Sequence, residues 1–173
     1  MNRQNKILVL GLGNEVLGDE AIGLKIVDDL KLSYTSPGLE YIKVANGGLE
    51  ILDSINDYRE LVIIDTISTN SGRPGNIRYF TPDDYRETLH LSSEHDTNFL
   101  TAIKTGEILG FKIPRNIDIL AVEINNNMQL GETLSNIIYN RYDEILDEIL
   151  NFIRKKVVPD TTHICTSIRK KKK

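Results

Sequence analysis

Lys6 to Gly23 reads KILVLGLGNEVLGDEAIG, and two periodicities meet inside it. Ile7 to Leu10 is a continuous apolar run ending at Gly11, the pattern of a short strand covered on both faces. From Ala21 the period changes: Ile22, Ile26 and Leu30 recur four apart with Val27 beside them, so an amphipathic helix follows. Between the two lies Gly11-Leu12-Gly13-Asn14, closed by Gly18-Asp19-Glu20. This is the entry to a β-loop-α unit. In open α/β sheets ligands sit outside the carboxyl ends of the strands, so Asp19 and Glu20 arrive where chemistry is usually done.

The chain beyond this unit repeats its logic. Leu39 to Ala45 alternates as a second strand, Asn46-Gly47-Gly48 breaks it, and Leu49 to Ile55 places Leu49, Leu52 and Ile55 on one side of a short helix. Leu61-Val62-Ile63-Ile64-Asp65 is an uninterrupted apolar run ending in a carboxylate, the signature of a buried central strand. Asn76 to Thr81 reads as a half-exposed edge strand, and Pro82 starts a short helical turn running to about Leu89. Ser93 followed by Asp96 resembles a capping box, so a helix is expected from here with Phe99, Ile103 and Leu109 along it. Asn116 to Ile124 is the last strand. Gly131-Glu132-Thr133 is expected to open the last helix, which buries Leu134, Ile138, Tyr142, Ile145, Ile149 and Phe152. Alternating strands and helices with no repeat or linker predict one α/β domain: a twisted, mostly parallel sheet of about five strands with helices on both faces.

Composition narrows the function classes. The 173 residues can bury a core without disulfides or structural metal, and the single cysteine, Cys165, cannot form an internal bridge. One thiol, no signal-peptide pattern and no membrane-length apolar run lead us to expect a cytoplasmic protein with no membrane partner. The formal charge is -4, but five cations occupy Arg169 to Lys173, which leaves -9 on the rest. Such an acidic body argues against a nucleic-acid partner, whose binding needs phosphate neutralisation. We expect residues 1–157 to form the domain and 158–173 a basic, disordered tail, since no apolar periodicity follows Pro159. No exposed heptad or long apolar edge calls for an oligomer, so a monomer is expected.

Three residues share a structural address. Glu20 falls at the start of the first helix, Asp65 at the end of the central strand and His95 at the start of the helix after Ser93. If these elements belong to one parallel sheet, all three project from one rim. Positions near a helix N-terminus favour a carboxylate and disfavour an imidazolium, and carboxylate and neutral imidazole are the metal-binding forms. Two carboxylates and an imidazole make an open site for a divalent first-row metal. Each residue also has a plainer explanation: Glu20 as a dipole-stabilised acid, Asp65 as a turn cap, His95 as an exposed loop histidine. Convergence on one rim is what favours a site.

Other chemistries fit poorly. The glycines do not make G-x-G-x-x-G, since Val16 stands where the third glycine belongs, no Walker lysine follows, and Asp19-Glu20 would repel a pyrophosphate. The tight strand-to-helix turn accounts for them, with Gly23 letting the helix approach the sheet. There is no G-x-S-x-G elbow. Gly11-Leu12-Gly13-Asn14 also begins peptidyl-tRNA hydrolases, but those continue with Pro-Gly, where this chain has Glu15-Val16.

GLGNEVLGDEAIG (Gly11 to Gly23), LVIIDTI (Leu61 to Ile67) and SSEHDTNFL (Ser92 to Leu100) resemble the signature regions of the hydrogenase maturation endopeptidases. The likeness runs in order from about Ile7 to Phe152. It implies a twisted five-stranded sheet between helices, and an endopeptidase that trims a C-terminal extension from the nickel-iron hydrogenase large-subunit precursor once nickel is inserted. By matching motifs it implies metal and catalytic roles for Glu20, Asp65 and His95, with nickel supplied largely by the nickel-loaded precursor. Asp19 is expected to orient the loop without a catalytic role. The chain departs from the family pattern at Ala21, where glycine is frequent, at Lys43-Val44-Ala45-Asn46 before Gly47-Gly48, and at Glu123 to Asn127, which lacks the usual proline. A non-cleaving checkpoint factor that reads the same loaded precursor is the alternative of a different class.

Overall fold

The computed structural model describes residues 2–45, 48–87, 94–125 and 130–157, and at 85–87 and 94–98 the backbone only. Strands β1 (Ile7–Leu12), β2 (Leu39–Val44), β3 (Glu60–Ile67), β4 (Ile77–Phe80) and β5 (Asn116–Glu123) form one sheet in the order β2-β1-β3-β5-β4. All neighbours are parallel except β4, which runs antiparallel to β5 at the edge. This is the expected α/β fold. The helices are α1 (Ile22–Ser33), α2 (Ile51–Ile55), α3 (Pro82–Glu87), α4 (Glu94–Ile108) and α5 (Asn136–Val157).

Strict alternation along the central strands divides the core into two layers. Val9, Val62, Ile64, Leu120 and Val122 pack against Ile22 and Ile26 of α1 and Ile138, Ile145 and Ile149 of α5. Leu8, Leu10, Leu61, Ile63 and Ile119 pack against Ile51, Leu52 and Ile55 of α2 and Phe99, Leu100 and Ile103 of α4. Both faces are covered, which explains why β1 and β3 read as unbroken apolar runs.

Five boundaries differ from expectation, the first being α2, which starts at Ile51 and leaves Leu49 60% exposed rather than on the buried side with Leu52 and Ile55. Asp65 does not end β3: Thr66 and Ile67 still pair with Val122 and Glu123. Glu20 lies in a 3-10 turn, Gly18–Ala21, and α1 begins after it at Ile22. The last helix starts at Asn136 rather than at Gly131, because Gly131 forms a bridge with Leu17 and Ser135 supplies the cap, its Oγ accepting from Ile138 N–H at 3.4 Å. Leu109 lies past the end of α4 and is exposed. Ser93, Cys165 and the tail 158–173 lie outside the described residues.

Candidate active site at the carboxyl rim of the sheet

The loop from β1 to α1 is folded onto itself and onto the sheet. Asn14 N–H donates to the Glu20 carbonyl at 3.2 Å, and Glu20 N–H donates to the Leu17 carbonyl at 3.0 Å. Gly13 sits at φ +154°, with its missing Cβ in the space taken by the Glu20 carbonyl. One turn on, a Cβ at Gly23 would run into the Leu12 carbonyl and reach 2.6 Å from the Ile64 carbonyl oxygen. The start of α1 therefore rests on the backbone at the ends of both β1 and β3. That contact brings the turn bearing Glu20 to the strand position just before Asp65.

Asp65 is 5% exposed, a buried carboxylate in a parallel strand. It stands on the same face of β3 as Leu61 and Ile63, the face that α2 and α4 cover. Thr66 N–H donates to Asp65 Oδ1 at 2.7 Å, which fixes the carboxylate plane. The Oε2 atom of Glu20 is likewise withdrawn from solvent.

His95 lies in the first turn of α4. The far end of that helix runs into residues 109–115, where Lys112 N–H donates to Asn56 Oδ1 at 2.9 Å and Asp57 N–H to the Lys112 carbonyl at 2.9 Å. Those contacts lie just before β3 begins, at the amino rim, so the first turn of α4 points to the carboxyl rim. The backbone thus carries the three sequence-selected positions to one edge, with Asp65 and α4 on the same face. The His95 side chain lies outside the described residues.

Asp19 ties the loop to the segment before α5. Its Oδ1 accepts from Ser135 N–H at 2.7 Å, while Gly18 N–H donates to the Gly131 carbonyl at 2.6 Å and Gly131 N–H to the Val16 carbonyl at 3.0 Å. The segment before α5 is therefore latched across the glycine-rich loop.

Glu123, which the sequence reading passed over, is the second buried acid of the rim. It is 1% exposed, and its Oε1 accepts from Thr69 N–H at 2.5 Å. Its Oε2 lies 3.0 Å from Arg78 Nε, a charge contact rather than an aligned hydrogen bond. Arg78 in turn donates from Nη2 to Thr69 Oγ1 at 3.2 Å, and Gly75 N–H donates to the Glu123 carbonyl at 2.7 Å. Glu123 thereby holds the loop that follows β3, next to Asp65. The signal was available: Glu123 closes an apolar run, ILAVE, just as Asp65 closes the run LVIID.

Two carboxylates and an imidazole suit a borderline divalent ion better than a purely hard one such as magnesium. Burial of Asp65 in a fixed orientation fits a ligand, because a ligating carboxylate must be held in place.

Comparison with known proteins bears on the family and the fold. The family model described as hydrogenase maturation protease matches residues 24–152. The hydrogenase 2 maturation protease of Escherichia coli is 40% identical over 73 residues, which are 40% of this chain and 43% of that protein. A hydrogenase expression/formation protein of Bradyrhizobium diazoefficiens is 26% identical over 127 residues, 70% of this chain and 64% of that protein. The chain thus spans about two-fifths to two-thirds of the length of these relatives. Among solved structures, a hydrogenase maturating endopeptidase of E. coli superposes with TM-score 0.73 at 24% identity, covering 87% of this chain and 93% of that one. A nickel-iron hydrogenase maturation protease of Thermococcus kodakarensis superposes with TM-score 0.69 at 21% identity, covering 88% and 99%. These two structural likenesses speak for the fold, and the family model, matching most of the chain, speaks for kinship: the chain belongs to the hydrogenase maturation protease family.

Proposed function

We propose that this chain is the endopeptidase that removes the C-terminal extension of a nickel-iron hydrogenase large-subunit precursor after nickel has been inserted. The observation that carries the reading is the docking of the Gly18–Ala21 turn against the carboxyl end of β3, which brings Glu20 toward the buried Asp65. Glu20, Asp65 and His95 are the proposed ligands and catalytic groups. The nickel belongs to the substrate in this account, so a loaded precursor completes the site and an empty one leaves it without its ion. When bound, the ion supplies Lewis acidity toward the scissile carbonyl, or a water of lowered pKa.

The chain's own residues do the rest. Asp65 presents a carboxylate pre-oriented by Thr66 N–H, so little reorganisation is needed on binding. Withdrawal from water strengthens the attraction of both acids for a cation. The latch from Asp19 to Ser135 keeps the loop bearing Glu20 against the sheet.

Glu20→Ala, Asp65→Ala and His95→Ala are each expected to lower processing of a nickel-loaded precursor by about a hundredfold or more, with the cooperative thermal transition retained. Mass spectrometry of the product and a melting curve for each variant check this. Normal processing by all three variants would contradict the assignment.

A further inference from the structure

Two adjoining cavities, of about 370 and 480 Å³, lie on the outer face of α1. Both are lined by Lys25, Asp28 and Glu132, so they form one groove. One end opens at Val16 and Ala21, beside the turn that carries Glu20, and the other ends at Tyr139 and Tyr142 of α5. Val16 is 54% exposed and Tyr139 72%, so apolar surface stands uncovered at both ends.

The groove carries four acids, Glu15, Asp28, Asp29 and Glu132, and two lysines, Lys25 and Lys43. Glu15 shares Lys43 with Asp28, and Glu132 stands exposed to solvent, so the open cation is a local feature of an acidic surface. Lys25 is half-buried, and Asp28 and Asp29 lie three and four residues on, where helix neighbours ordinarily neutralise a lysine. Both acids are engaged elsewhere: Asp28 Oδ2 accepts from Lys43 Nζ at 2.7 Å, and Asp29 Oδ2 from the Tyr142 hydroxyl at 2.7 Å. Among the described residues none forms a hydrogen bond or ion pair with Lys25. An ammonium without a counter-ion, on a stem half-buried in the groove, is a ready partner for an incoming carboxylate.

We propose that this groove docks the segment of the protein substrate that flanks the scissile bond, with an acidic side chain of that segment on Lys25 and apolar side chains on Val16 and Tyr139. The inference rests on the endopeptidase reading above. Two observations select this occupant: the groove is continuous with the turn bearing Glu20, so a chain cut there must leave across adjoining surface, and its open cation calls for an acid. Lys25 is a specificity residue here, remote from the bond that breaks.

The test uses the full chain and a nickel-loaded precursor, comparing Lys25→Glu, Lys25→Met and Lys25→Arg with the parent. Expected are a rise in KM of about tenfold or more for Lys25→Glu with kcat nearly unchanged, a smaller rise for Lys25→Met, and near-parental KM for Lys25→Arg. Exchanging one acidic residue beside the cleavage point of the precursor for lysine should restore binding to Lys25→Glu. Unchanged KM in Lys25→Glu, or a fall in kcat alone, would overturn the groove assignment while leaving the protease reading intact. A change of sedimentation with unchanged KM would mean that a second copy of the chain occupies the groove, and overturns it too. Should the parent bind the precursor without cutting it, the protease reading fails, and the groove is judged by affinity. A Kd unchanged by Lys25→Glu then overturns the groove, and a weakened one supports it.

Discussion

Arg78 and Glu123 show how one side chain can organise the rim. The acid is enclosed, whereas the guanidinium is 40% exposed, so the pair is unequal. Removing the arginine leaves a buried carboxylate without its main compensating charge, whereas the arginine alone could return to water. Arg78→Met is therefore expected to cost about 3 kcal/mol, read as a shift in the urea midpoint at constant slope. A loss under ~0.5 kcal/mol would mean that Thr69 N–H alone satisfies Glu123. Tyr142 gives a residue-scale prediction with a sign. Burial, and then its hydrogen bond to Asp29, push its phenol well above the usual tyrosine range. The folded-state pKa is raised, so the contribution is complete below the unfolded pKa of about 10 and is lost as pH rises beyond it. Tyr142→Phe should cost about 1.5 kcal/mol at neutral pH and flatten the fall in stability above about pH 10, as alkaline denaturation measured at several pH values would report. An unchanged alkaline slope would contradict this.

At the level of elements, the β1 to α1 unit was legible because its signals are local. An apolar run, a glycine-rich loop and a four-residue apolar recurrence each speak for their own few residues, and Gly23 was expected at a close approach. The contact is with the carbonyls of Leu12 and Ile64, which cannot move aside as a side chain could. Gly23→Ala should therefore destabilise by about 2–3 kcal/mol and displace the turn bearing Glu20, lowering processing more than melting temperature alone would explain. Parental stability would show that α1 can slide on the sheet. The start of α5 was not legible in the same way. Gly131 to Ser135 has helix-compatible residues, and long-range pairing at its two ends, Gly131 with Val16 and Gly18 and Ser135 with Asp19, goes with its staying outside the helix. The two residues of β3 beyond Asp65 were missed for a similar reason, since Thr66 and Ile67 are strand only because Val122 and Glu123 lie beside them. Periodicity reports what a segment buries, not what it meets from a distant part of the chain.

The whole molecule is a parallel sheet closed on one side by an antiparallel edge, with its carboxyl rim given over to acids. Asp65 and Glu123 lie on adjacent strands, and the Glu20 turn folds over β1 and β3. The sequence alone reached two members of this rim through their address in the fold, but it missed Glu123, because the last strand was read through that residue to Ile124 instead of ending on it. No described helix is long and apolar enough to cross a membrane. The acidic balance of the sequence has its counterpart in the groove beside α1, where four carboxylates face two lysines and, of these two, Lys43 is paired with Asp28 and Lys25 is not paired with any described residue.

The central claim is that the chain cuts a substrate that brings its own metal. Its most direct test is the intact mass of a hydrogenase large-subunit precursor incubated with this protein, with and without prior nickel loading. The account predicts loss of a C-terminal peptide from the loaded precursor and an unchanged mass for the empty one. Binding of the loaded precursor with no change of mass, or equal cleavage of both forms, would contradict it.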